Sequence, residues 1–121
     1  MSFPTIAFKH TNIGVDYKLQ DLLTQKFTSL EKLIGDETDI HCEVEFEKES
    51  IQRSGNIFRT EANLWFRGNL YRAQASCENF EKAIDEVRDE LDKELRCANK
   101  KRTNIFLKGS RKIKEIMMFG R

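Results

Sequence analysis

Hydrophobic and polar residues alternate in "TIAFKH", residues 5–10, with Ile6 and Phe8 on one side and Thr5, Ala7 and Lys9 on the other, as in a half-buried first strand. From Asp16 the spacing changes. Leu19, Leu22, Leu23, Phe27, Leu30, Leu33 and Ile34 recur at three- and four-residue steps until Gly35, which predicts an amphipathic helix with Asp16 as its N-cap. Alternation returns in "TDIHCEVEFEKE", where Ile40, Cys42, Val44 and Phe46 oppose His41, Glu43, Glu45 and Glu47. After the polar loop "SIQRSGN", a third strand, "IFRTEANLWF", turns Phe58, Thr60, Ala62, Leu64 and Phe66 inward. "RGNL" then predicts a tight hairpin at Gly68-Asn69. In the fourth strand the inward set is Tyr71, Ala73, Ala75 and Cys77, small enough to let a helix pack close to the sheet. From Asn79, a second helical stripe follows, formed by Phe80, Ala83, Ile84, Val87, Leu91, Leu95 and Ala98.

The order β-α-β-β-β-α, with each strand polar on one side and each helix apolar along one stripe, predicts a two-layer α+β fold. Its four-stranded mixed sheet carries two helices on one face and meets water on the other. The first two strands are expected to be parallel, joined by a right-handed crossover. A chain of 121 residues fits one such domain, expected over residues 1–102, with residues 103–121 as a basic tail. At 39% hydrophobic residues and one proline, the composition is that of a folded globule. No apolar run approaches the ~20 residues of a membrane span, and "MSFPTIAFKH" lacks the basic and apolar regions of a secretory leader, so a cytoplasmic protein without membrane contact is expected. Cys42, Cys77 and Cys97 are odd in number and far apart. They fit free, mostly buried thiols better than a disulfide or zinc framework.

Charge changes this picture. Net charge is only +1, yet residues 1–95 hold 12 Lys/Arg against 19 Asp/Glu, and residues 96–121 hold nine basic residues against Glu115 alone. The inversion falls within "LDKELRCANKKR", residues 91–102. Cations at a helix C-terminus complement its dipole, but that effect is about 0.3–1 kcal/mol each and is confined to the last turn, so it does not account for nine. Lys93, Arg96 and Lys100 stand at i, i+3 and i+7 on one face. With Lys101, Arg102, Lys108, Arg111, Lys112 and Lys114 they outline a positive surface suited to the phosphates of a nucleic acid. A solvated helix end with a soluble tail is the plainer account of the same residues. No zinc finger, helix-turn-helix or RNP motif is present, so recognition of shape and backbone is expected over base readout. A double-stranded RNA-binding domain would present a basic N-terminus on its last helix; here Glu78, Glu81, Asp85 and Glu86 stand there and repel phosphate.

Catalysis finds little support. His10 and His41 fall on different strands and outside any nucleophile motif; His41 lies near Asp39 and Glu43, but as a plain strand residue it needs no further role. Glu43, Glu45 and Glu47 can either bind a cation or keep the open face wet. Trp65, outward by parity beside Arg59, Glu61 and Asn63, offers a stacking platform for a base or a contact for Ile116, Met117 or Phe119 of the tail. No catalytic residue, metal or cofactor is assigned.

The hairpin "FRGNLYRAQASCENF" and the stretch "ENFEKAIDEVRDELDKELRCANKKR" resemble the ribosome hibernation promoting factors, also called ribosome-associated inhibitors or light-repressed proteins, in their short form. The likeness rests on Arg72-Ala73, Glu78-Asn79-Phe80, Ala83-Ile84-Asp85, Leu91 and Leu95, then Lys100-Lys101-Arg102, in that order, and covers roughly residues 5–102. It implies a β-α-β-β-β-α protein, not an enzyme, that occupies the mRNA and tRNA channel of the small ribosomal subunit and of the 70S ribosome. There it would stop translation on idle ribosomes under starvation or cold. The family's cations that hold 16S rRNA phosphates match Arg88, Lys93, Arg96, Lys100, Lys101 and Arg102 here. Two features depart from the family pattern: the acidic first part of the second helix, and a tail that is neither the short acidic tail nor the dimerising domain of other members. A free monomer is therefore expected. The alternatives are a general structured-RNA-binding module and an oligomerising scaffold whose open sheet face meets protein.

Overall fold

A computed structural model describes residues 3–35, 39–52 and 54–109. Strands β1 (Ile6–Thr11), β2 (Ile40–Lys48), β3 (Phe58–Phe66) and β4 (Asn69–Cys77) form one sheet in the order β1-β2-β3-β4. β1 runs parallel to β2, and the other neighbours are antiparallel, so the sheet is mixed as expected. Helices α1 (Tyr17–Phe27), α2 (Glu31–Ile34) and α3 (Phe80–Gly109) supply the second layer. The fold is the β-α-β-β-β-α two-layer α+β arrangement that the hydrophobic pattern predicts.

Asp16 caps α1 by accepting from the backbone N–H groups of Lys18 and Leu19 at 3.0 and 3.2 Å, which satisfies two otherwise orphaned donors. The first helical segment is not continuous to Gly35. A 3₁₀ turn, Thr28–Leu30, separates α1 from α2. There the Thr28 and Ser29 hydroxyls donate to the carbonyls of Gln25 and Lys26 at 2.6 and 3.0 Å, a local competition with the helical ladder. The apolar stripe survives the break, since Leu19, Leu23, Phe27, Leu30 and Ile34 are all buried. Gly35, at φ +67° and ψ −135°, takes a positive-φ conformation that suits glycine and ends α2.

The hairpin turn also differs by one residue from the sequence expectation. Phe66 pairs with Asn69, so the two turn residues are Arg67 and Gly68, both with positive φ, as a hairpin of type I′ requires. Arg67 holds its guanidinium 5.2 Å from the Phe66 ring centre.

The core lies between the sheet and the helices. Cys42, Val44, Phe46, Ala62, Leu64, Phe66 and Ala73 face Leu23, Phe27, Leu30, Ile84, Val87, Leu91 and Leu95. The Phe46 ring stacks with Phe8 and meets the edge of Phe80, which also packs on Phe58. Each fully buried Leu, Ile, Val or Phe contributes about 1.5–3 kcal/mol, which fixes the rotation of α3 about its axis. Two polar ties join α3 to the other helices. Lys26 meets Asp85 at 2.6 Å, and the Asn99 amide donates to the Leu33 carbonyl at 3.0 Å. Residues Glu78-Asn79 turn the chain from β4 into α3, with Asn79 accepting from the Lys82 N–H at 2.8 Å. The backbone of α3 is helical to Gly109, past residue 102, where the sequence reading begins the tail.

Candidate nucleic-acid interface

With Ile84, Val87, Leu91 and Leu95 turned into the core, the helical period carries residues 93, 96 and 100 to the opposite side of α3. Lys93, Arg96 and Lys100 are all exposed there, together with Lys101 one step around the helix. Arg88 is partly covered, at 27% side-chain exposure, against 54% for Arg96. A groove of about 620 Å³ brings Arg88, Lys93 and Arg96 together, and Ser29 from the 3₁₀ turn, Asp89, Asp92 and Cys97 complete its lining. Lys100 and Lys101 continue beyond it. Arg102 and Lys108 lie on the helical backbone of α3; Arg111, Lys112 and Lys114 lie outside the described residues, as do Ile116, Met117 and Phe119.

The groove is not purely cationic. Asp92 accepts from Arg96 Nε at 2.5 Å, and Asp89 accepts from Arg88 Nε at 2.8 Å. Sequence reasoning counts these acids in the charge balance without assigning their partners; the i, i+4 spacing of Asp92 and Arg96 is the signal that identifies one pair. Burial, reinforced by Glu90, raises the Glu94 carboxyl above the usual carboxylate range. Ser29 and Cys97 are further groove residues that the charge pattern does not reveal. Cys97 is exposed, unlike buried Cys42 and Cys77, because residue 97 falls off the apolar stripe.

The opposite face of the molecule has a different chemistry. Arg59 is surrounded by Glu47 at 2.9 Å, Glu45 at 3.6 Å and Glu61, and donates to Gln74 as well. Arg72 reaches Glu61 at 3.2 Å and Asn63 at 2.8 Å. A hydrogen bond from the Thr11 hydroxyl, with Lys9 and Arg59 nearby, holds the Glu45 carboxyl below the usual range despite partial burial. These outward glutamates therefore belong to a cross-strand ion network. Among the described residues no group of His, Cys, Asp and Glu is arranged to hold a metal ion. His41 sits 3.0 Å from Glu43 and its ring lies 5.3 Å from that of Trp65, which is still partly exposed on this face. His10 packs its ring on Phe46. Among the described residues no helix is long and apolar enough to cross a membrane.

A small two-layer sheet-and-helix domain thus carries a groove lined by both cations and carboxylates on its last helix, and ion-paired residues on its open face. Residues 6–103 match the family model described as sigma 54 modulation protein / S30EA ribosomal protein, and the chain belongs to that family. Its members are ribosome-associated modulation proteins and not enzymes. Solved structures share the fold, among them the following two. The N-terminal domain of Protein Y from Thermus thermophilus superposes with a TM-score of 0.62 at 18% identity, covering 76% of this chain and 96% of that one. A ribosomal subunit interface protein from Coxiella burnetii gives 0.63 at 18% identity, covering 78% and 96%. No curated protein sequence matches the chain.

Proposed function

We propose that this protein is a cytoplasmic hibernation factor that binds the small ribosomal subunit, alone or within the 70S ribosome. It holds 16S rRNA phosphates in the mRNA and tRNA channel and so blocks translation by idle ribosomes. The observation that carries this reading is the groove on α3, where Arg88, Lys93 and Arg96 converge in a chain of a ribosome-associated family. Lys100 and Lys101 extend the same cationic end. The Coxiella burnetii relative, a ribosomal subunit interface protein, supports the choice of partner. Action is by occlusion, and it needs no cofactor or metal. The free protein acts as a monomer, its domain over residues 1–102 extended by the basic tail 103–121.

The test is sedimentation with ribosomes at two salt concentrations, comparing wild type with Arg96→Glu/Lys100→Glu/Lys101→Glu. Binding through about four phosphates weakens on the order of a hundredfold between 50 and 200 mM salt, using the coefficient for duplex nucleic acid. The triple variant is expected to stay folded, because none of the three side chains is buried, and to remain at the top of the gradient. Unchanged co-sedimentation of the variant refutes the surface. Equal binding of wild type to any structured RNA favours a general RNA-binding module instead.

A further inference from the structure

The two arginines of the groove are each already engaged by a carboxylate. Arg96 gives its Nε to Asp92 one helical turn before it, and Arg88 gives its Nε to Asp89. For Arg96 this engages the Nε of the guanidinium fork, whose amino groups are donors for a second acceptor. Asp92 is itself only 27% exposed, so its carboxylate sits within the groove and not out in bulk water.

We propose that Asp92 is an internal competitor for phosphate on Arg96, with Asp89 acting in the same way on Arg88, so that RNA engages this groove by exchanging a carboxylate for a phosphate on each guanidinium. The proposal rests on the reading that this face meets RNA and adds how tightly and how reversibly it does so. A phosphate that settles on Arg96 comes within about 6 Å of Asp92, and two like charges at that separation in water repel by enough to weaken binding about threefold. The carboxylate set free by exchange also gathers a counterion, which offsets one released by the phosphate. The salt dependence of the wild type is thereby flattened by up to roughly 0.9 in the logarithmic slope for each pair.

A rigid positioning role for Asp92 predicts the reverse. If Asp92 served to orient Arg96 toward the phosphate, its removal would weaken binding and leave the slope no steeper. The full chain and purified small subunits distinguish the two, by equilibrium binding over a range of salt concentrations. Asp92→Asn is expected to bind about threefold more tightly at 50 mM salt, with a steeper slope, and Asp89→Asn to shift in the same direction. In an Arg96→Gln background the gain from Asp92→Asn should vanish, because the effect acts through Arg96. An unchanged or weakened Asp92→Asn, or an equal gain without Arg96, overturns the proposal while leaving the ribosome reading intact. Absence of salt-dependent binding by the wild type overturns both. Urea unfolding of each variant accompanies the series, and nearly unchanged midpoints are expected, since ion pairs on a helix surface add little to stability.

Discussion

Replacement of Thr60 by valine should stabilise this protein, an outcome most substitutions do not give. Thr60 lies in β3 between Phe46 of β2 and Ala75 of β4 and is fully buried on the core side of the sheet. Its Oγ1 is the buried side-chain polar atom without a hydrogen-bond partner among the described residues. Burying a hydroxyl with no partner costs about 1–3 kcal/mol relative to its hydrated state. Valine has the same branched shape, keeps the strand preference and removes that cost without opening a cavity. A gain of about 1 kcal/mol is expected, corresponding to a melting temperature about 4–8 °C higher for a domain near 100 residues. In urea the midpoint should rise by about 0.5–1 M at an unchanged slope. Thr60→Ser provides the complement, since it keeps the unpartnered hydroxyl and loses the methyl, and it should fall about 1 kcal/mol below wild type. The order Val above Thr above Ser is the signature. A valine variant no more stable than wild type means that the hydroxyl is satisfied in the folded protein, and the reasoning fails.

Thiol titration gives a second check, because only Cys97 is exposed. Burial, reinforced by Glu43, pushes the Cys42 thiol up to about 12, so at pH 8 only about one molecule in ten thousand carries the reactive thiolate there. Burial raises Cys77 as well. One equivalent should therefore react rapidly with a disulfide reagent and two only after unfolding; rapid reaction of all three contradicts the packing. Glu94→Gln is expected to raise stability at pH 7. The folded-state carboxyl of Glu94 titrates above its unfolded value, so its contribution is intact below the unfolded pKa and is lost as pH rises through the folded one. Urea midpoints of the variant and wild type should differ at pH 7 and converge near pH 4; a difference that grows in acid refutes the assignment.

Periodicity is sufficient for most of this fold because the strands bury one face each and a slip of one residue would expose every apolar side chain. Hence Cys42, Val44 and Phe46, and across from them Thr60, Ala62 and Leu64, fall where alternation puts them. The misses occur where local chemistry competes with the pattern. Thr28 and Ser29 interrupt a stripe whose apolar spacing is unbroken, since their hydroxyls take helix carbonyls that periodicity does not see. The hairpin shifts to Arg67-Gly68 because Asn69 is held in register by Phe66, even though asparagine tolerates a turn well. At the candidate site, the change of sign along α3 is visible in the charges. The groove is not, because Ser29 reaches it from a different element and the Asp89–Arg88 pair depends on side-chain geometry, whereas only the i, i+4 spacing of Asp92 and Arg96 marks a pair in the sequence.

On the proposed function the two ends of α3 serve different purposes, which would separate stability from binding along a single helix. Its acidic half faces the dipole's positive end, meets Lys26 through Asp85, and presses Ile84, Val87 and Leu91 onto the sheet. Leu95 is the last fully buried residue of the helix among the described side chains, and Asn99 makes a polar tie to Leu33. Lys100 and Lys101 come after that tie and are exposed, while the helical backbone continues to Gly109. At 1.5 Å per residue, the part after Asn99 is about 15 Å long. Charges placed there contribute little to folding, because exposed charges in water are each worth a fraction of a kcal/mol. They act on a polyanion additively and at a range set by the Debye length, about 10 Å at 0.1 M salt. Reversal of the cations on the basic end should then abolish ribosome association with almost no change in the urea midpoint, whereas Leu91→Ala should lower stability by about 2–5 kcal/mol and affect association only as far as the protein unfolds. If both substitutions moved stability and association in proportion, the grip would have to reside in the packing of α3 as a whole and not in its exposed end.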